Sequence, residues 1–100
     1  MYYSLVKTPH KKHKYEVYIY GPKSKIVKFG DNRYEDYLMH KDPARKRLYI
    51  LRHRKNEDWT ASGLYTPGFW SLHLLWSKPT IEEAVANLRK KFGLELIQPI

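Results

Sequence analysis

The chain has 100 residues, 42% of them hydrophobic, and a net charge of +9. That length allows one domain with one modest core; no run approaches the roughly 18 apolar residues of a bilayer span, Met1–Val6 is too short for a signal peptide's apolar region, and the lack of cysteine excludes a disulfide framework or thiolate metal site. A soluble, non-secreted protein of a reducing interior is expected. Residues 1–55 hold fifteen Lys/Arg against five Asp/Glu, and residues 56–100 hold four against five, a lopsided field that favours a polyanionic partner such as nucleic acid.

In chain order, residues 1–14 are expected as a basic N-terminal arm or edge segment, because Lys7-Thr8-Pro9-His10-Lys11-Lys12-His13-Lys14 is a basic run broken by proline and free of apolar residues. Residues 15–100 then form a single compact domain. Tyr15–Tyr20 is β-branched or aromatic apart from Glu16 and predicts a strand. Gly21-Pro22-Lys23-Ser24 is a turn signal, and Lys25–Phe29 resumes as the second strand of an antiparallel hairpin ending at Gly30-Asp31. Tyr34, Tyr37 and Leu38 have the spacing of one helical turn.

Asp42-Pro43 reads as a cap and a first helical residue, opening a helix from Pro43 to about Lys55. On a helical wheel Ala44, Leu48 and Leu51 form a narrow stripe expected to face the core, with Arg45 and Arg52 on one flank and Arg47 and Arg54 on the other. Gly63 and Pro67-Gly68 punctuate a loop in which Trp59 is an anchor, and Phe69–Trp76, the most apolar stretch, predicts a short buried helix or irregular core segment. Thr80-Ile81-Glu82-Glu83 has the form of a capping box, and the following helix carries Ile81, Val85, Leu88 and Phe92 on one side and stops at Gly93. Leu94–Ile97 adds a short last strand. The expected class is α+β, with an antiparallel hairpin or small sheet packed against two or three short helices.

Candidate binding residues follow from the charge. The arm offers Lys11, Lys12 and Lys14, the hairpin edge Lys23, Lys25 and Lys28, and the helix Arg45, Lys46, Arg47, Arg52, Arg54 and Lys55. Arginine's planar fork of donors suits phosphate oxygens, and neutralising several phosphates releases counterions. Four arginines in residues 45–54, with no acidic residue after Asp42, exceed what solvating a helix face requires. Tyr18 and Tyr20 share a strand face, where they either stack on unpaired bases or pack as ordinary strand residues. Trp59, Trp70 and Trp76 are expected in the core. His10 and His13 have no cysteine or nearby carboxylate to complete a metal site. Asp31, Asp36 and the pair Glu57-Asp58 have no spacing that fixes a mechanism, so no catalytic residue, metal or cofactor is assigned.

Several of these residues recur together: Val27-Lys28-Phe29-Gly30, Tyr34-x-Asp36-Tyr37, His40-Lys41-Asp42, Arg45-Lys46, Tyr49, Arg52-His53, Glu57-x-Trp59, Ser62-Gly63, Thr66-x-Gly68-Phe69-Trp70-Ser71 and Leu74-Leu75-Trp76-x-Lys78-Pro79. This pattern, over about residues 25–92, resembles a family of small, basic, uncharacterised proteins of large nucleocytoplasmic double-stranded DNA viruses. The resemblance implies a viral protein of the virion or the infected-cell cytoplasm or nucleus, and supplies no catalytic residues. Two non-enzymatic roles suit such a protein: binding the genome through phosphates, or acting as a minor capsid or cement protein whose basic face bridges acidic surfaces of viral capsid proteins.

Overall fold

The computed structural model describes residues 1–8 and 12–98. The fold is α+β: a four-stranded mixed sheet packed against helices. The strands are β1 (Tyr2–Lys7), β2 (His13–Tyr20), β3 (Lys25–Asp31) and β4 (Glu95–Leu96), in the spatial order β3-β2-β1-β4. β1 and β3 each pair antiparallel with β2, and β4 pairs parallel with β1. The expected hairpin is present, with Val17 opposite Val27 and Tyr15 opposite Phe29. β2 begins before the expected span, at His13, and β3 ends at Gly30-Asp31 as expected. Gly30 adopts φ 79°, where a side chain would be strained and its Cβ would stand 2.9 Å from Leu75 Cδ1.

Within residues 1–14, expected as a basic arm or edge segment, Tyr2–Lys7 belong to the sheet. These residues form β1, with Tyr3 and Leu5 in the core and Tyr2 and Val6 on the solvent face. Period-two alternation of apolar side chains outweighs the neighbouring basic run. β1 is interior where β4 covers Tyr2 and Tyr3, and is an edge beyond them.

Helices follow as α1 (Tyr37–His40), α2 (Pro43–His53), α3 (Pro67–Trp70) and α4 (Ile81–Phe92). Asp36 caps α1 by accepting from Met39 N, and Asp42 caps α2 by accepting from Ala44 N. A 3₁₀ turn, Ala61–Gly63, precedes α3, which widens into a π-helical stretch over Ser71–Trp76 with Ser77 N donating to Leu72 O. The wider turn lets three successive side chains, His73, Leu74 and Leu75, all be buried. In α4, Thr80 accepts from Glu83 N and Gly93 closes the helix at φ 66°.

The core lies between one sheet face and these helices. Tyr3, Val17, Ile19 and Phe29 meet Phe69, Trp70, Leu74, Leu75, Ala84 and Leu88, all essentially without solvent exposure. Trp70 sits at its centre, its ring 4.9 Å from that of Tyr3 and its indole Nε1 donating to Leu64 O. Trp76 and Trp59 are only partly buried and form the core's margin under α2. Among the described residues no helix is long and apolar enough to cross a membrane.

Candidate nucleic-acid interface

At the end of the β2–β3 pair where His13 faces Asp31, a cleft of about 1050 Å³ opens between the sheet and α2. Lys14 and Lys28 reach it from the strands, Lys12 from just before β2, and Arg45 and Arg52 from the helix; its floor includes Ser71, Leu75 and Trp76. Five of the expected phosphate contacts, far apart in sequence, therefore converge. Asp31, Glu35, Asp36 and Glu57 also line the cleft, so which cations are paired decides what remains available to an anion.

Lys14 is not available. Its Nζ donates to Asp36 Oδ2 at 2.6 Å, with side chains only 13% and 5% exposed, so this expected contact instead ties β2 to the cap of α1. Arg33, which the sequence reading passed over, also lines the cleft and pairs with Asp31 through Nε and Nη2. Those hydrogen bonds hold the Asp31 carboxyl at about 2. An Asp-x-Arg spacing at a strand exit gives no sequence signal for a binding site. Arg45 pairs with Glu35 at 3.1 Å, but both side chains are about half exposed, and such a pair contributes little. Lys12, Lys28 and Arg52 form no ion pair among the described residues.

The helix faces differ from expectation. Leu48 and Leu51 are 54% and 45% exposed and Ala44 is also exposed, while the buried residue of α2 is Tyr49. Tyr49 is stacked between His53 (4.2 Å) and Trp76 (4.3 Å). An aromatic ring that can lie flat on a tryptophan gains more at this seat than two leucines on the opposite side would. Burial, aided by the nearby Glu57 charge, pushes the Tyr49 hydroxyl up to about 12, so it stays a protonated donor. The Glu57 carboxylate lies against Gly68 at the start of α3, a close approach that a Cβ at Gly68 would block.

Lys46 shares the buried face of α2. Its Nζ donates to Ser77 O at 2.6 Å and sits over the Tyr37 ring, and burial lowers its pKa. It is a structural tether where a phosphate contact was expected. Arg47, Arg52, Arg54 and Lys55 are all exposed. Lys23 and Lys25 lie at the hairpin turn, away from the cleft: Lys23 covers the Tyr65 ring and Lys25 Nζ donates to Tyr65 O. Lys11 lies outside the described residues.

Tyr18 and Tyr20 do share a face, the solvent side of the sheet, with Tyr20 opposite Tyr2 and Tyr18 opposite Ile26. The Tyr18 hydroxyl donates to Glu16 Oε1 at 3.3 Å, and the Glu16 charge raises its pKa. This face is separate from the cleft lining except at Lys28, which is opposite Glu16. Among the described residues no group of three or more His, Asp or Glu is placed to hold a metal ion. What the cleft and α2 offer chemically is a set of cationic donors around a protonated phenol, suited to holding an anion.

No curated protein and no solved structure matches the chain. A family model does match residues 3–53, from β1 to the last residue of α2. That segment contains both strand and helix walls of the cleft and is half of the chain, and the protein belongs to this family, described as a family of unknown function (DUF5754).

Proposed function

We propose that the protein binds nucleic acid, most favourably DNA, through its phosphates, as a non-enzymatic viral protein of the virion or infected cell. One observation carries the reading. Arg45, Arg47 and Arg52 on an 11-residue helix that has no acidic residue, and Arg54 at its C-cap, are all exposed, and the core makes no use of them. Long cationic side chains exposed on a rigid element, of which Arg45 alone is held in an ion pair among the described residues, with the half-exposed Glu35, can neutralise phosphates without reorganising the fold, and released counterions then supply sequence-independent affinity.

The test is the affinity for a random-sequence duplex between 50 and 300 mM salt. Four to five phosphate contacts give a log–log slope of about −4. Replacing the four arginines with Gln should flatten that slope while the circular dichroism spectrum and thermal midpoint stay near those of the parent. Absence of binding to free duplex at the lowest salt would remove the reading and favour the minor capsid role, in which the same basic face meets acidic surfaces of shell proteins.

A further inference from the structure

The apolar stripe of α2 is unexplained by the fold. Ala44, Leu48 and Leu51 follow i, i+4, i+7 spacing about half a turn away from Tyr49, the residue that seats the helix. Solvating a surface helix calls for polar residues along that line. Here two leucines lie on it, with Arg45 and Arg52 along one side and Arg47 and Arg54 along the other.

A second copy of the chain does not fit this face. Packing stripe on stripe would bring the four arginines of one helix against those of the other, with no carboxylate on α2 to compensate. The occupant must therefore be anionic on both flanks and weakly polar between them. The major groove of B-form DNA has this form: two phosphate backbones border a channel about 12 Å wide, and thymine methyl groups line its floor. A helix with its side chains is about 10–12 Å across, and α2, with 11 residues, is about 16 Å long at 1.5 Å per residue.

We infer that α2 enters the major groove of B-form duplex DNA, with Ala44, Leu48 and Leu51 against base edges and the two arginine pairs reaching the backbones on either side. The inference rests on the phosphate-binding reading above and adds the polymer, the groove and the contacting face. Arg45 reaches its phosphate by releasing the half-exposed Glu35. Tyr49, Lys46 and His53 stay turned to the protein body, held by Trp76, Ser77 O and the Tyr49 ring. The lining of the groove by apolar side chains gives the helix a preference for A·T-rich sequence through the thymine methyl, an apolar contact that phosphate binding alone does not make.

The experiment compares two duplexes of one A·T-rich sequence, one with thymine and one with uracil throughout, so that only the C5-methyl groups differ. The parent protein should bind the thymine duplex more tightly, by about four-fold for each methyl buried. In the double variant Leu48→Ala, Leu51→Ala that preference should fall to near unity, with helix content unchanged because both leucines are solvent-facing. Duplex RNA of the same length should bind more weakly, since its deep, narrow major groove does not admit a helix.

Equal affinity for the two DNA duplexes, with salt-dependent binding intact, overturns the groove inference and leaves phosphate binding standing. Failure to bind either duplex at 50 mM salt overturns both. Binding to vesicles containing phosphatidylserine without binding to duplex would instead assign the stripe to an anionic membrane surface, and would equally overturn the inference.

Discussion

Tyr49 lies face to face with Trp76, ring centroids 4.3 Å apart and planes 8° from parallel. The stack is the joint between α2 and the rest of the protein, because Tyr49 is the buried residue of that helix. Its other face is covered by His53, which donates from Nδ1 to Tyr49 O at 2.9 Å. A helix of three turns is marginal on its own in water, so the basic surface depends on this single aromatic seat.

Replacing Tyr49 with Ala should cost about 3–5 kcal/mol, the range for deleting a buried aromatic ring. It should also weaken duplex binding, although Tyr49 carries no charge, because the arginines lose their fixed spacing. Tyr49→Phe keeps both stacks and removes only the hydroxyl next to Ser71 and Glu57, so it should cost about 1 kcal/mol. Urea melts and duplex titrations on the two variants test this. A Tyr49→Ala protein as stable as its parent would show that α2 is held elsewhere.

The seat of α2 illustrates how far the sequence could be read. Its start at Pro43 and its cap by Asp42 are local properties and were legible, while its end, expected at about Lys55, falls at His53. Its orientation was not, because residues 44, 48 and 51 and residues 46, 49, 50 and 53 both have helical spacing, and hydrophobicity alone favours the leucines. Which stripe faces inward is decided by Trp76, 27 positions beyond Tyr49 in the chain. β1 is hidden for another reason: Tyr3 and Leu5 alternate correctly with Tyr2 and Val6, but the basic run beside them carries the stronger sequence signal. Counting charge likewise treated Lys14 and Lys46 as free, whereas a buried carboxylate at Asp36 and a carbonyl at Ser77 bind them.

The Lys14–Asp36 pair gives a second prediction. Both side chains are nearly buried, and Asp36 also caps α1, so the carboxylate cannot move to water without undoing that turn. Lys14→Met should therefore be destabilising by about 3–5 kcal/mol, since it leaves an uncompensated buried charge. The double variant Lys14→Met, Asp36→Asn should recover part of the loss, because the amide oxygen can still accept from Met39 N without a charge to neutralise. Chemical denaturation of the parent, single and double variants forms the measurement. Equal stability of the single and double variants would mean that the loss came from packing and not from the stranded charge.

His73 should make the fold less stable in acid. It is buried against Phe69 and Phe92, with ring centroids 4.4 and 5.0 Å away, and its Nε2 meets Trp59 O at 2.9 Å. Its Nδ1 is buried with no hydrogen-bond partner among the described residues, so a second ring proton would have no acceptor. Burial lowers the pKa of His73, Lys91 adds to the lowering, and the bond to Trp59 O opposes it only in part. In the unfolded chain the ring titrates near its ordinary value of about 6.5. Above that value the ring is neutral in both states and His73 adds no pH dependence. As pH falls below about 6.5 the unfolded state binds a proton that the folded state refuses, and stability drops until the lowered folded pKa is reached. The urea midpoint of the parent should accordingly fall between pH 7 and pH 5. In His73→Gln, whose side-chain amide can still donate to Trp59 O but does not titrate, the fall should be smaller. Parallel midpoint curves for the two proteins would place the acid sensitivity on other groups.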